Sequence, residues 1–390
     1  MKPKTVLVVA FISTGLGGMP IWLLSAYSPF VVQSLGISTA EYGLLLATFF
    51  GFSALTGVWL GGSSARNGWT SGTIYTAILA TTGLVIMGLL AQNWLVMGSG
   101  IILSALANSL SQPSANLAIV SAISVRRQGL AFGIKQAALP VATFTVGLTV
   151  PIFSFAEGWR FAFLTVAIFA FIFGVFVQIR SGTRLSSPLS IAVSRANFPA
   201  RQSGDRHISR ALLFLAVAAG LGTATTMTFA GFLVLYAVHI GLTPTEGALI
   251  LTIGSLTGLI SRVLSGYLAD RRNGRHLLVV SYMMTGGAIG FLLLSISNDI
   301  VLLCIASVLS FALGWGWNGV FHLAIVRMNP SRAANSTGVI QTGMALGATF
   351  GPATFGVALS LSFELAWVAL AVCMLAAAAM VKVGRRELNR

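Results

Sequence analysis

Apolar residues run along this chain in long unbroken stretches, with no alternation between apolar and polar positions. Twelve stretches predict helices at about 5–33, 40–62, 71–91, 94–123, 129–154, 159–179, 210–238, 244–267, 276–296, 299–328, 335–360 and 363–383. Nearly all reach the roughly 20 residues that cross a bilayer core. A transmembrane barrel would instead need short segments of alternating character. The pattern predicts an all-α membrane protein with twelve transmembrane helices.

Composition sharpens this reading. The chain is 56% apolar and 8% charged, with a mean hydropathy of +0.90. Soluble domains are about 45–50% apolar and about 25% charged. The net charge of +15 would suit a nucleic-acid binder, but its placement argues for a membrane. With the N-terminus inside, the inner segments hold Lys2, Lys4, Arg66, Arg126, Arg127, the arginines from Arg180 to Arg210 and from Arg271 to Arg275, Arg332 and the C-terminal cluster. The outer loops carry Glu41, Glu157, Glu246, Asp299 and Glu364. Lys and Arg gather on the cytoplasmic side of membrane proteins. Both termini are therefore expected in the cytoplasm, with no nucleic-acid partner and with contact to membrane lipid. Lys2 and Lys4 before an apolar run imitate a signal peptide, but the run is too long, so it reads as the first helix. Cys304 and Cys373 lie inside apolar stretches, where packing is the expected role.

One polar stretch interrupts the pattern: residues 179–210, rich in Ser and Arg. It reads as a cytoplasmic linker, dividing the chain into an N-terminal six-helix bundle (1–179), the linker (180–209) and a C-terminal six-helix bundle (210–390). The halves repeat each other. GISTAEYGLLLATFFGF from Gly36 matches GLTPTEGALILTIGSLTG from Gly241, aligning Glu41 with Glu246 at an offset of 205. The same offset aligns Gly133 with Gly338 and Gln136 with Gln341. An offset of 206 aligns Gln112 with Asn318 and Asn116 with His322. Two pseudo-symmetric halves with a central loop suit a repeat-built secondary transporter, whose site lies near the midplane.

The stretch GYLADRRNGRH, residues 266–276, concentrates charge in a turn between the eighth and ninth helices. It resembles the Gly-x-x-x-Asp-Arg-x-Gly-Arg loop of the major facilitator superfamily through Gly266, Asp270, Arg271 and, one position late, Gly274 and Arg275. The resemblance covers the whole chain and implies twelve helices and an alternating-access transporter. In that family the loop latches neighbouring helices at the inner gate. The first-half copy, GGSSARNGW, keeps Arg66, Asn67 and Gly68 but has Ser64 where Asp270 would stand. Within the superfamily the chain bears a general resemblance to cyanate and nitroimidazole-type carriers. The run GVIQTGMALGATFGPATFG in the eleventh helix resembles the Gly-Pro motif of drug/proton antiporters, but that motif belongs to the fifth helix. Its small residues every four positions are expected to serve packing and bending.

Polar side chains buried in a membrane are functional candidates. No acid lies deep in any helix, which argues against carboxylate cation sites. No His-Glu-x-x-His motif, nucleophile triad or nucleotide-binding motif is present, so the chain reads as neither an enzyme nor an ATP-driven pump. No cofactor or metal is implied. The candidate substrate-binding set is Lys135, Gln136, Arg262, Asn318, His322, Gln341, Tyr27 and Trp315. The candidate gating set is Gly266, Asp270, Arg271, Gly274, Arg275 and Arg66. Two readings stand for Lys135 and Arg262. They snorkel to the cytoplasmic surface or brace the loop, or they face the cavity and select an anion. His322 reads as carrier of a coupled proton or as a neutral hydrogen-bonding group. The expected function is proton-coupled uptake of a small organic anion or polar metabolite by a monomer in a bacterial inner membrane. The alternatives are proton-antiport efflux of an apolar drug or metabolite, and a non-transporting membrane sensor.

Overall fold

The computed structural model describes residues 1–155, 157–182, 210–271, 274–328 and 333–388. The first half holds α1 (Pro3–Ala26), α2 (Ser28–Leu35), α3 (Thr39–Asn67), α4 (Trp69–Val85), α5 (Trp94–Ala122), α6 (Val125–Gln136), α7 (Ala138–Thr149) and α8 (Gly158–Ser181). The second holds α9 (Arg210–His239), α10 (Pro244–Arg271), α11 (His276–Ser295), α12 (Ile300–Leu309), α13 (Trp317–Met328), α14 (Ala333–Ala358) and α15 (Phe363–Leu388). Among the described residues, ten helical spans are long and apolar enough to cross a membrane, or eleven if α2 and α3 count as one broken span. The glycine- and threonine-rich α14 is not among the ten.

Three expected helices are broken in the structure. The first splits at Tyr27 into α1 and α2. Pro29 has no N–H to give the Ser25 carbonyl, so the ladder fails there. The fifth splits at Ala137 into α6 and α7, where Pro140 deprives the Gln136 carbonyl in the same way. The tenth runs from α12 through a π turn at Ser310–Trp315 into α13. Pro20, Pro113 and Pro352 lie inside continuous helices.

The repeated acids are helix caps. Ser38 and Glu41 form a capping box, with the Glu41 carboxylate accepting from the Ser38 N–H at 2.8 Å. Thr243 and Glu246 make the same pair, also at 2.8 Å. Each starts the second long helix of its half by satisfying N–H groups that the first turn leaves open.

Within the first half α5 packs on α1, α3 and α4, and α4 on α8. Within the second, α9 packs on α14 and α15, and α11 on α15. The halves meet through α3 on α14, α7 on α10 and α1 on α9. These contacts gather at the end of the bundle remote from the termini. Thr39 Oγ1 donates to the Gly356 carbonyl at 3.2 Å. Tyr42 Oη donates to the Gly231 carbonyl at 2.7 Å. Gly43 lies against the Pro352 carbonyl, Gly147 against Thr252 and Gly231 against Leu46, so close that a Cβ would collide. Toward the other end the glycines Gly57, Gly133, Gly266, Gly319 and Gly338 face open space. The close approaches described between the halves thus shut the end remote from the termini, and the end that carries the termini is the more open one.

Candidate functional site

At the seam an aromatic pair joins the halves. Trp22 of α1 lies 5.6 Å from Trp315, centroid to centroid. Trp315 closes the π turn, which swings it inward beside Phe311, 5.1 Å away. The Arg262 guanidinium of α10 lies 5.4 Å from the Trp315 ring. Among the described residues no carboxylate forms an ion pair with it. Next to it, Ser261 Oγ donates to the Ala312 carbonyl inside the π turn. The Trp22 indole N–H is buried and has no partner among the described residues. It sits over Gly18, one turn toward the open end.

Lys135 is 2% exposed. Its Nζ donates to Gln112 Oε1 at 2.5 Å and to Asn116 Oδ1 at 2.8 Å. Both amides stand one turn apart on the same face of α5. The amine therefore stays inside the bundle and does not extend to the surface. Gln136, beside it at the α6–α7 break, is exposed.

The matching cluster in the second half is built differently. His322 Nδ1 lies 2.9 Å from the Asn318 carbonyl, and its Nε2 lies 3.2 Å from Gln341 Nε2. A carbonyl only accepts, so Nδ1 carries the proton, and the Nε2 lone pair receives the Gln341 N–H. Gln341 is exposed and His322 half-buried. The position matching Lys135 is Ile340, which is fully buried.

The other candidates stand apart. Tyr27 is fully buried and donates to Thr149 Oγ1 at 3.0 Å, a bond within the first half. Arg271 lies with its guanidinium 4.3 Å from the Tyr267 ring. Gly274 and Arg275 both have positive φ, 88° and 60°, and form the sharp turn into α11. For Arg275 that is an uncommon backbone region. Gly266 faces open space. Arg66 and Asp270 lie on α3 and α10, but their side chains are outside what the structure describes, as are Arg272 and Asn273 altogether. The charged latch expected at Asp270 therefore falls outside the described side chains.

Two features escaped sequence reasoning. One is the pairing of Lys135 with the acceptor oxygens of Gln112 and Asn116, where the i, i+4 amide spacing was the available signal. The other is the α3 face at the seam, signalled by Gly43, Ala47 and Gly51 four residues apart. On α14 the small residues serve packing: Gly343, Gly347 and Gly351 lie against Ala216, Gly220 and Ala224 of α9.

The sequence matches the family model described as Major Facilitator Superfamily over residues 10–352. Among curated proteins, none matches the sequence. Among solved structures, it is similar to a bacterial homolog of the human lysosomal transporter Spinster in an inward-facing, occupied conformation. That likeness has a TM-score of 0.78 at 15% identity and covers 99% of this chain and 98% of the other. It is also similar to a D-xylose-proton symporter, with a TM-score of 0.78 at 14% identity over 98% and 97% of the two chains.

Proposed function

The chain belongs to the Major Facilitator Superfamily, and from that premise we propose that it takes up a small organic anion together with protons, by alternating access. The observation that carries the anion reading is Arg262. A guanidinium at the seam between the halves, against Trp315 and with no ion pair among the described residues, suits a negatively charged ligand that supplies a partner. Arg262 is half-buried within a membrane-spanning helix, and a cation there is costly, which favours a functional reason for it. His322, half-buried with the lone pair of its Nε2 turned to Gln341, suits the coupled proton. With the halves divided at residues 180–209, the arginines of that linker, Lys2 and Lys4 near the N-terminus and the Lys and Arg near the C-terminus favour a cytoplasmic position for all three segments in a bacterial cell. On that orientation the open end faces inward. Efflux of an apolar drug is the second reading. The Gly-Pro run of α14 gives it little support, because those residues pack against α9 and α3.

The test is binding of purified protein to a panel of small carboxylates, neutral amides and amines. Arg262→Gln keeps a polar side chain and removes the charge. It should weaken carboxylates by about 1.5–3 kcal/mol, the range for a hydrogen bond to a charged group, and neutral ligands less. Equal loss for both classes, or no loss, rejects the anion reading.

A further inference from the structure

Lysine can only donate hydrogen bonds, and this fixes more than its own position. Lys135 Nζ engages Gln112 Oε1 and Asn116 Oδ1 together. Each carboxamide must then present its oxygen to the amine and turn its NH2 group away. Neither NH2 group has an acceptor among the described residues. Neither is sealed in the core: Asn116 is exposed and Gln112 half-buried. Both lie in the half of α5 nearer the end that carries the termini, away from the close contacts that Gly43, Gly147 and Gly231 make between the halves. Two carboxamides one turn apart on α5 thus offer N–H donors side by side, with a positive charge directly behind them. No acid is placed to compensate, because every acid in the described residues lies at a helix end or in a loop.

We propose that the Gln112 and Asn116 NH2 groups form an oxyanion seat in the first half, and that Lys135 is the residue that orients and polarises it. This rests on the anion reading above and assigns a second contact point for the same class of ligand. The ligand's carboxylate, or another planar oxyanion, accepts from the two amides and need not touch the lysine. The charge behind the amides strengthens both bonds. The second half does not repeat this device. There the matching positions are Asn318 and His322, Ile340 replaces Lys135, and the imidazole holds Gln341 instead. The seat is therefore one-sided. An anion held between the α5 amides and Arg262 of α10 would tie the two halves together.

The proposal is tested on full-length protein in lipid nanodiscs, labelled with 15N at Asn and Gln side chains and at Trp indoles. The Gln112 and Asn116 signals are assigned by their loss in Gln112→Met and Asn116→Leu, and sodium acetate is titrated with acetamide as the neutral control. Acetate should shift both NH2 signals saturably, and acetamide should not. Lys135→Met should weaken the acetate response by about tenfold or more, since it removes both the charge that polarises the amides and the donor that holds their oxygens turned away from the ligand. Lys135→Arg, another pure donor, should retain it within about threefold. That rescue separates orientation from a structural role and keeps the test valid if Lys135→Met does not fold. The proposal is overturned if acetate leaves the two signals unmoved, or if it moves them equally in Lys135→Met. The Trp315 indole reports on Arg262 independently. If acetate shifts that signal but not the amides, the anion reading survives and the α5 seat does not. If it shifts neither, both fail.

Discussion

Lys135 illustrates how a single residue can be visible in the sequence while its role is not. Its position six residues into a predicted helix marks it as unusual, but only the fold brings Gln112 and Asn116 around its amine. Their separation from it by 23 and 19 residues hides the cluster. Arg262 is similar: the missing acid is legible, whereas the Trp315 neighbour depends on a π turn that no hydropathy pattern signals. At this scale the hydrogen bond from Tyr42 to the Gly231 carbonyl gives a clean prediction, because it joins the two halves. Tyr42→Phe removes it with little change of shape and should disfavour the observed closure by about 0.5–1.5 kcal/mol. A cysteine at Leu46, which contacts Gly231 at the seam, should then react faster with a thiol reagent from the closed end. An unchanged rate would mean that the bond does not hold that end shut.

Helices carry the close approaches that shape the seam. Small residues let backbones touch, and in a bilayer such packing replaces the hydrophobic drive between helices. Gly347 of α14 lies against Gly220 of α9, whereas Gly338 on the same helix faces open space. Gly347→Leu should therefore overpack the α9–α14 contact and lower stability by about 1–3 kcal/mol, read as a fall in the thermal unfolding midpoint. Gly338→Leu should leave the midpoint nearly unchanged. Equal effects would contradict the assigned packing. The spacing of these glycines is plain in the sequence, but their partners on another helix are not. The breaks at Tyr27 and Ala137 follow from Pro29 and Pro140, yet Pro20, Pro113 and Pro352 leave their helices continuous. A proline signals a missing donor, and neighbouring helices determine whether the chain bends there.

Over the whole molecule, length, hydropathy and the offset of about 205 residues were enough to specify a repeat-built helical bundle, because a membrane leaves few other ways to satisfy the backbone. Which end is closed depends on pairs such as Thr39 and Gly356, 317 residues apart, and no local pattern encodes it. Orientation rests on the distribution of Lys and Arg. With Cys304 and Cys373 replaced by serine, Gln92→Cys should react with an impermeant thiol reagent on intact cells, and Ser203→Cys in the linker should not; the reverse result would invert the topology. The central claim is proton-coupled transport of an organic anion, and it is tested most directly in proteoliposomes. With the outside made acidic, vesicles holding the wild-type protein should accumulate a radiolabelled small carboxylate above its equilibrium level, and Arg262→Gln vesicles should not. Accumulation of neutral or apolar solutes with no carboxylate uptake, or carboxylate uptake equal in the two proteins, would contradict the account.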